Sequence, residues 1–321
     1  MASLLPYDMK KIAFICLLAG LSACGKEQIN LVWEQQSSGT SHTISALHFL
    51  DADTGYAVGG DTWYHGFALH TIDGGKNWTM DSIANKQLFA LDFNESGEGV
   101  AAGIDGYVFE RKPSSPNWNF FRYPVWAFYR GVAHSADATL LVGGVAYKNG
   151  TIVRLDADFQ IDTLTEFEPE LDAACFVDAQ TAMAVGYGLV LRSEDGGRTW
   201  TTLPINGDHF LAIHFPSPKV GYIVGFAGTI LKTEDGGKTW SKIRNGGGVW
   251  VRSIPLRALH FIDEETGYLA GEKGLVWKTS NGGENWTALE GLPEVDYYDI
   301  HVIGRDGWLV GENGVLIHFR D

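Results

Sequence analysis

Four short segments place an acid or amide at the same point of one pattern. They are Thr71-Ile72-Asp73-Gly74-Gly75-Lys76-Asn77-Trp78, Ser193–Trp200 around Asp195, Thr233–Trp240 around Asp235, and Thr279–Trp286 around Asn281. Carboxylates at a fixed spacing can serve as general acids and bases or hold calcium. The flanking residues argue for a simpler chemistry. A Ser or Thr stands two places before each acid or amide and two glycines follow it. That is the composition of a hairpin turn, in which the side-chain oxygen accepts from turn N–H groups and glycine supplies positive φ. The pattern Ser/Thr-x-Asp-x-Gly-x-Thr-Trp is an Asp box. Asp73, Asp195, Asp235 and Asn281 are therefore expected to be structural staples, not catalysts.

Histidines are the second candidates. His48, His214, His260 and His301 share one place in four copies of a strand core. Recurrence at equivalent positions is what a structural role predicts, so each imidazole is expected to hydrogen-bond within or between repeats, with the rings held well apart and no metal bound. Three cysteines are present. Cys16 lies in the leader described below and Cys24 is expected to be blocked, which leaves Cys175 alone, without a disulfide or a cysteine metal site. No nucleophile elbow, phosphate loop or dinucleotide fingerprint occurs, and no cofactor is expected. A net charge of −15 argues against nucleic acid and against a basic membrane-binding face.

The boxes belong to a longer repeat. Upstream of a typical box run Gly221-Tyr222-Ile223-Val224-Gly225 and Gly228-Thr229-Ile230-Leu231-Lys232, and before those a four-residue strand core. Seven cores follow in order, beginning at Ala46, Ala90, Gly131, Ala174 (one place late in register), Ala212, Ala258 and Asp299. Aromatic anchors at Trp33, Trp78, Trp118, Phe159, Trp200, Trp240 and Trp286 are spaced 45, 40, 41, 41, 40 and 46 residues apart. A period near 40 with four short strands per unit predicts an all-β fold, a seven-bladed β-propeller of four-stranded blades, over residues 30–321. Blades two and three keep the spacing but have lost the box. The seventh copy ends at Asp321 with three strands, so Asn30–Gln35 is expected to supply its fourth and close the ring.

Before the repeat, Met9-Lys10-Lys11 and the apolar Ile12–Ala19 form a signal peptide too short to span a bilayer. Leu21-Ser22-Ala23-Cys24 resembles the lipobox of bacterial lipoproteins. The expectation is a leader over residues 1–23 (translation starting at Met9), lipidation of Cys24, and a tether over 24–29. Gly25 in place of Asp suggests sorting to the outer membrane of a Gram-negative envelope, with membrane contact through the lipid alone.

A ligand is expected where the repeat becomes irregular, in loops that gather on one face around the channel mouth. Trp63, Tyr64 and His65 lie in blade one, Trp126, Tyr129 and Arg130 enter blade three, and Tyr297 and Tyr298 enter blade seven. The segment entering blade six is longer than its peers and carries Trp250 and Arg252 behind a glycine run, Gly246-Gly247-Gly248. Exposed Trp, Tyr and Arg suit a protein or carbohydrate partner, whereas the same residues buried would pack between blades.

The Gly-Tyr-x-x-Gly strands combined with Asp-Gly-Gly-x-Thr-Trp boxes resemble the Ycf48-like family of photosystem II stability and assembly factors, over about residues 30–321. The resemblance implies a non-enzymatic scaffold that holds a protein partner. Its photosynthetic members carry an arginine-rich patch, whereas this chain has 24 Lys and Arg against 39 Asp and Glu. Asp boxes also occur in sialidases, so a glycan hydrolase is the alternative. The Arg-Ile-Pro-like element such enzymes place near the first blade is not found there, where the sequence reads Ser45-Ala46-Leu47-His48-Phe49.

Overall fold

The computed structural model describes residues 31–124, 126–145, 148–246 and 253–321. Among the described residues the strands form seven antiparallel four-stranded sheets. Each sheet is one blade; in six of them the strands run outward from the central axis in sequence order, and in the seventh the outermost place is taken by Val32–Gln35. The innermost strands are Thr43–Phe49, Leu88–Phe93, Phe128–His134, Leu171–Phe176, Phe210–His214, Leu256–Phe261 and Tyr297–Ile303. Second strands such as Gly221–Gly225 are buried throughout and read as continuous apolar runs. Outer strands such as Val32–Gln35 are exposed. The hydrophobic gradient along each repeat thus fixes which strand faces the neighbouring blades and which faces solvent.

The seventh blade closes as the sequence predicts. Val32–Gln35 pairs with Leu316–Arg320, with Trp33 opposite Phe319. The chain then crosses to blade one. Gln36 donates from its side-chain amide to the Gly74 carbonyl (3.2 Å) and accepts from the Trp78 indole (3.2 Å). Ser38 Oγ donates to the Gly314 carbonyl at 2.7 Å.

Blades are joined by aromatic stacks. The ring that opens a second strand lies on the phenylalanine ending the next blade's inner strand: Tyr222 on Phe261 at 3.7 Å and Trp308 on Phe49 at 3.7 Å. The glycine before each such ring is obligatory. A Cβ at Gly55 would lie 2.5 Å from the Phe49 ring.

The Asp boxes close the turns between third and fourth strands. Asp235 Oδ1 accepts from the N–H groups of Lys238 (3.0 Å) and Thr239 (2.9 Å) and from Thr233 Oγ1 (2.8 Å). Its Oδ2 accepts from Thr239 Oγ1 at 2.6 Å. Asp195 repeats the arrangement, Asp73 binds Asn77 instead, and Asn281 accepts from the Asn285 N–H and Thr279 Oγ1, each at 3.0 Å. Every acceptor atom is thus occupied by its own turn.

Candidate functional site

Each inner strand pairs with its neighbour through a β-bulge at the same point of the repeat. The pairing skips Ser45, Phe89, Arg130, Asp172, Leu211, Arg257 and Tyr298. A bulge leaves one residue out of the ladder and redirects its side chain. Here all seven line one cavity of about 410 Å³ at the mouth of the central channel. The propeller thus carries one position per blade that neither the ladder nor the core constrains. In this chain those seven positions hold seven side chains of six kinds.

The residue before each bulge points the other way. Ile44, Leu88, Tyr129, Leu171, Phe210, Leu256 and Tyr297 are all completely buried. Tyr129 and Tyr297 are therefore corrections to the expected site. They are core residues filling the space between blades, while Arg130 and Tyr298, one place on, belong to the mouth. Trp63, Tyr64 and Trp126 are exposed on the same face, and His65 is half-buried against His42 and Phe67. Trp250 and Arg252 lie outside the described residues, as does Cys24.

The mouth is built on pinned cations. Arg130 Nε donates to Glu170 Oε1 at 2.7 Å and lies 3.9 Å from Asp172 Oδ1. The guanidinium sits 5.6 Å from the Phe89 ring and 5.9 Å from that of Phe128. Asp172 Oδ2 is 2.6 Å from His209 Nε2. Across the mouth, Arg257 pairs with Glu272 at 2.5 Å and lies over Tyr298 at 5.1 Å, and its Nε has no hydrogen-bond partner among the described residues. Aromatic contacts extend this surface outward. Phe128 meets Phe89 (6.2 Å), Trp63 (6.5 Å) and Trp126 (6.5 Å), and Lys86 stands 6.0 Å from Trp63. The arrangement offers flat apolar area with oriented donors at its centre, which suits the capture of a polypeptide segment. Sequence reading missed Ser45, Phe89, Asp172, Leu211 and Arg257. The signal was available: each stands three places before a position in the His48-type column.

That column forms a second ring deeper in the channel: His48, Asp92, Ala133, Cys175, His214, His260 and His301, each three places after its bulge. Aligned on the bulge, Cys175 falls in line with the histidines. The expectation of well-separated rings is corrected. His48 and His301 are 4.9 Å apart by ring centroid, His301 and His260 4.3 Å, and His260 and His214 4.9 Å. Inner strands converge on the axis, so equivalent side chains meet. Burial pushes His48 and His214 down to about 4 and His260 and His301 well below the usual imidazole range, which favours the neutral form of all four imidazoles. No group of three metal-ligating side chains stands in ligating geometry among the described residues. The ring's visible role is structural. His214 Nδ1 accepts from the Phe261 N–H of the next blade (3.3 Å), as Asp92 accepts from that of His134 (2.8 Å). From one level nearer the mouth, Asp299 accepts from the Leu47 N–H (2.9 Å), across the closing seam.

Comparison with known proteins agrees with this architecture. A family model described as photosynthesis system II assembly factor YCF48 matches residues 251–321. No curated protein matches the chain. Among solved structures, one described as YCF48 bound to D1 peptide superposes with a TM-score of 0.68 at 16% identity, covering 92% of this chain and 98% of that one. YCF48 from Cyanidioschyzon merolae gives 0.66 at 17% identity over 90% and 98%. The WD40 propeller domain of Doa1 gives 0.70 at 10% identity over 90% and 98%. The chain thus shares the propeller fold with YCF48 and with the WD40 domain of Doa1, and its last 71 residues match the sequence model of the YCF48 family.

Proposed function

We propose that this protein is a non-enzymatic, lipid-anchored envelope protein that captures a segment of a protein partner on its channel-mouth face. The observation that carries the reading is the bulge ring. One unconstrained position per blade, repeated seven times around a cavity, lets a fixed scaffold be matched to a particular ligand. Its continuity with exposed Trp63 and Trp126 provides the rigid aromatic anchors that dominate protein recognition. The YCF48 structure bound to D1 peptide adds a precedent for peptide capture on this fold. Lipidation at Cys24 would hold the propeller at a membrane, where nascent or partly assembled envelope proteins would be its natural clients.

Trp63→Ala and Trp126→Ala test the reading with little risk to folding, because both rings are more than half exposed. In photo-crosslinking and pull-down from membranes, each should reduce recovery of the partner by about tenfold, or roughly 1.4 kcal/mol. Unchanged recovery with both rings removed would overturn the face assignment. Fatty-acid labelling that marks Cys24→Ala as strongly as wild type would overturn the anchor while leaving the binding face standing.

A further inference from the structure

The seams between blades are normally plugged. At three seams a donor of one blade reaches the first glycine carbonyl of the next blade's Asp box: Arg154 Nε to Gly196 (2.8 Å), Arg192 Nε to Gly236 (3.3 Å) and Trp308 Nε1 to Gly74 (3.0 Å). Between blades five and six the box glycine Gly282 approaches Tyr222 and Lys232 so closely that an added Cβ would lie 3.1 Å from Lys232 Nζ. Between blades six and seven, where the chain ends and no box exists, a carboxylate does the plugging. Asp321 Oδ2 accepts from Tyr268 OH at 2.6 Å and lies 2.7 Å from Lys278 Nζ.

The seam between blades one and two has neither plug. Blade two has no box, and its turn runs Lys112-Pro113-Ser114-Ser115-Pro116-Asn117. Tyr56 stands where Tyr268 stands, at the start of a second strand, and His70 opposes it across the ladder as Lys278 opposes Tyr268. A notch of about 260 Å³ remains, lined by Tyr56, His70, Asp81, Arg111, Asn117 and Trp118. Arg111 stands seven places before Trp118, the place that Thr71 holds before Trp78 in a true box. Its guanidinium lies 4.6 Å from the Tyr56 ring, and its one hydrogen bond is a long contact (3.5 Å) to the Lys112 carbonyl. The Tyr56 hydroxyl, the His70 ring and the Trp118 indole have no hydrogen-bond partner among the described residues.

We infer that this notch is a carboxylate-binding site, separate from the channel mouth. The molecule contains its own template: at the equivalent seat Asp321 is held by a phenol and a cation. Here the same phenol is joined by a guanidinium, which can take a carboxylate with two parallel bonds. Asp81, exposed on the rim, is the only carboxylate in the described lining and opposes an incoming anion. The ligand is a free organic acid or an acidic side chain of a bound protein, both presenting the same group.

Titration of the full propeller with succinate, and separately with a short glutamate-rich peptide and its glutamine counterpart, distinguishes the two. The readout is the NMR signals of Arg111 and His70. Saturable shifts are expected with succinate, with the glutamate peptide, or with both; a response confined to the peptide assigns the site to a protein segment. Arg111→Gln should weaken the response by about tenfold and Asp81→Asn should strengthen it several-fold. Tyr56→Phe, which keeps the stacked ring, should weaken it less than Arg111→Gln. Shifts that fail to saturate with every acid, that are matched by the glutamine peptide, or that are the same in Arg111→Gln would overturn the inference.

Discussion

Asp235→Ala removes four accepted hydrogen bonds from one turn, two from backbone N–H groups and two from threonine hydroxyls. A net intramolecular hydrogen bond contributes about 0.5–1.5 kcal/mol, and this turn is solvent-exposed, which favours the lower end. The expected loss is about 2–3 kcal/mol. For a domain of this size that lowers Tm by roughly 4–6 °C. Asp235→Asn should cost about half as much, because Asn281 fills the same place in blade six and still accepts two bonds. The pH dependence is specific. Hydrogen bonds from Thr239 hold the Asp235 carboxyl down at about 2. A carboxylate whose folded pKa is depressed stabilises above its unfolded value near 4, and that stabilisation disappears as pH falls through the folded value. Wild type and Asp235→Ala should therefore differ most at pH 7, with the gap narrowing between pH 4 and 2. Thermal melts by circular dichroism across that range, with partner capture measured at pH 7, supply the test. A gap as wide at pH 2 as at pH 7, or an alanine variant that melts like the asparagine one, would refute the assignment of the box as a carboxylate staple. Selective loss of capture in a folded variant would move the binding site to the box side.

Four further outcomes follow from the channel, the mouth and the closure. The buried imidazoles stay neutral in the folded state while the unfolded chain takes up protons below about 6.5, so they contribute a loss of stability as pH falls from there toward 4; His260→Gln should flatten that loss in pH-dependent urea melts. Burial raises Asp92 and Asp299 to about 7, which works in the opposite direction, removing stability as pH rises from about 4 to 7, and Asp299→Asn should reduce that slope over the same range. Deleting residues 32–36 strips the outer strand and the Gln36 latch from the closing seam and should lower Tm by many degrees, measured by calorimetry. Tyr297→Ala should cost about 3–5 kcal/mol as a core deletion, whereas Tyr298→Ala should leave the melt nearly unchanged and weaken partner capture.

The architecture was legible because it is periodic. Glycine–aromatic pairs, boxes and anchors recur every 40 residues or so, and each has a local cause: a turn, a close approach, a stack. Even the closing strand could be read, from a three-stranded copy at one end and a lone Trp33 at the other. The site was harder to read because its defining feature is a break in alternation. Taken as entry loops, Tyr129 with Arg130 and Tyr297 with Tyr298 read as equivalent members of one aromatic surface, yet both pairs lie in inner strands, where neighbours face opposite ways. The bulge falls on the second residue of each pair, which faces the axis while the first faces the core. No residue type signals that bulge in any single blade. Only the fixed three-residue offset to the His48, His214, His260 and His301 column reveals it. In a propeller the inner strands crowd together, so residues about 40 apart in sequence stand within 5 Å. The same crowding explains why the histidines touch and why the seven least constrained residues of the repeat converge on one cavity. Where a repeat is closed into a ring, a position that is variable along the sequence becomes a contiguous surface in space, and that surface is where this chain's specificity has room to reside.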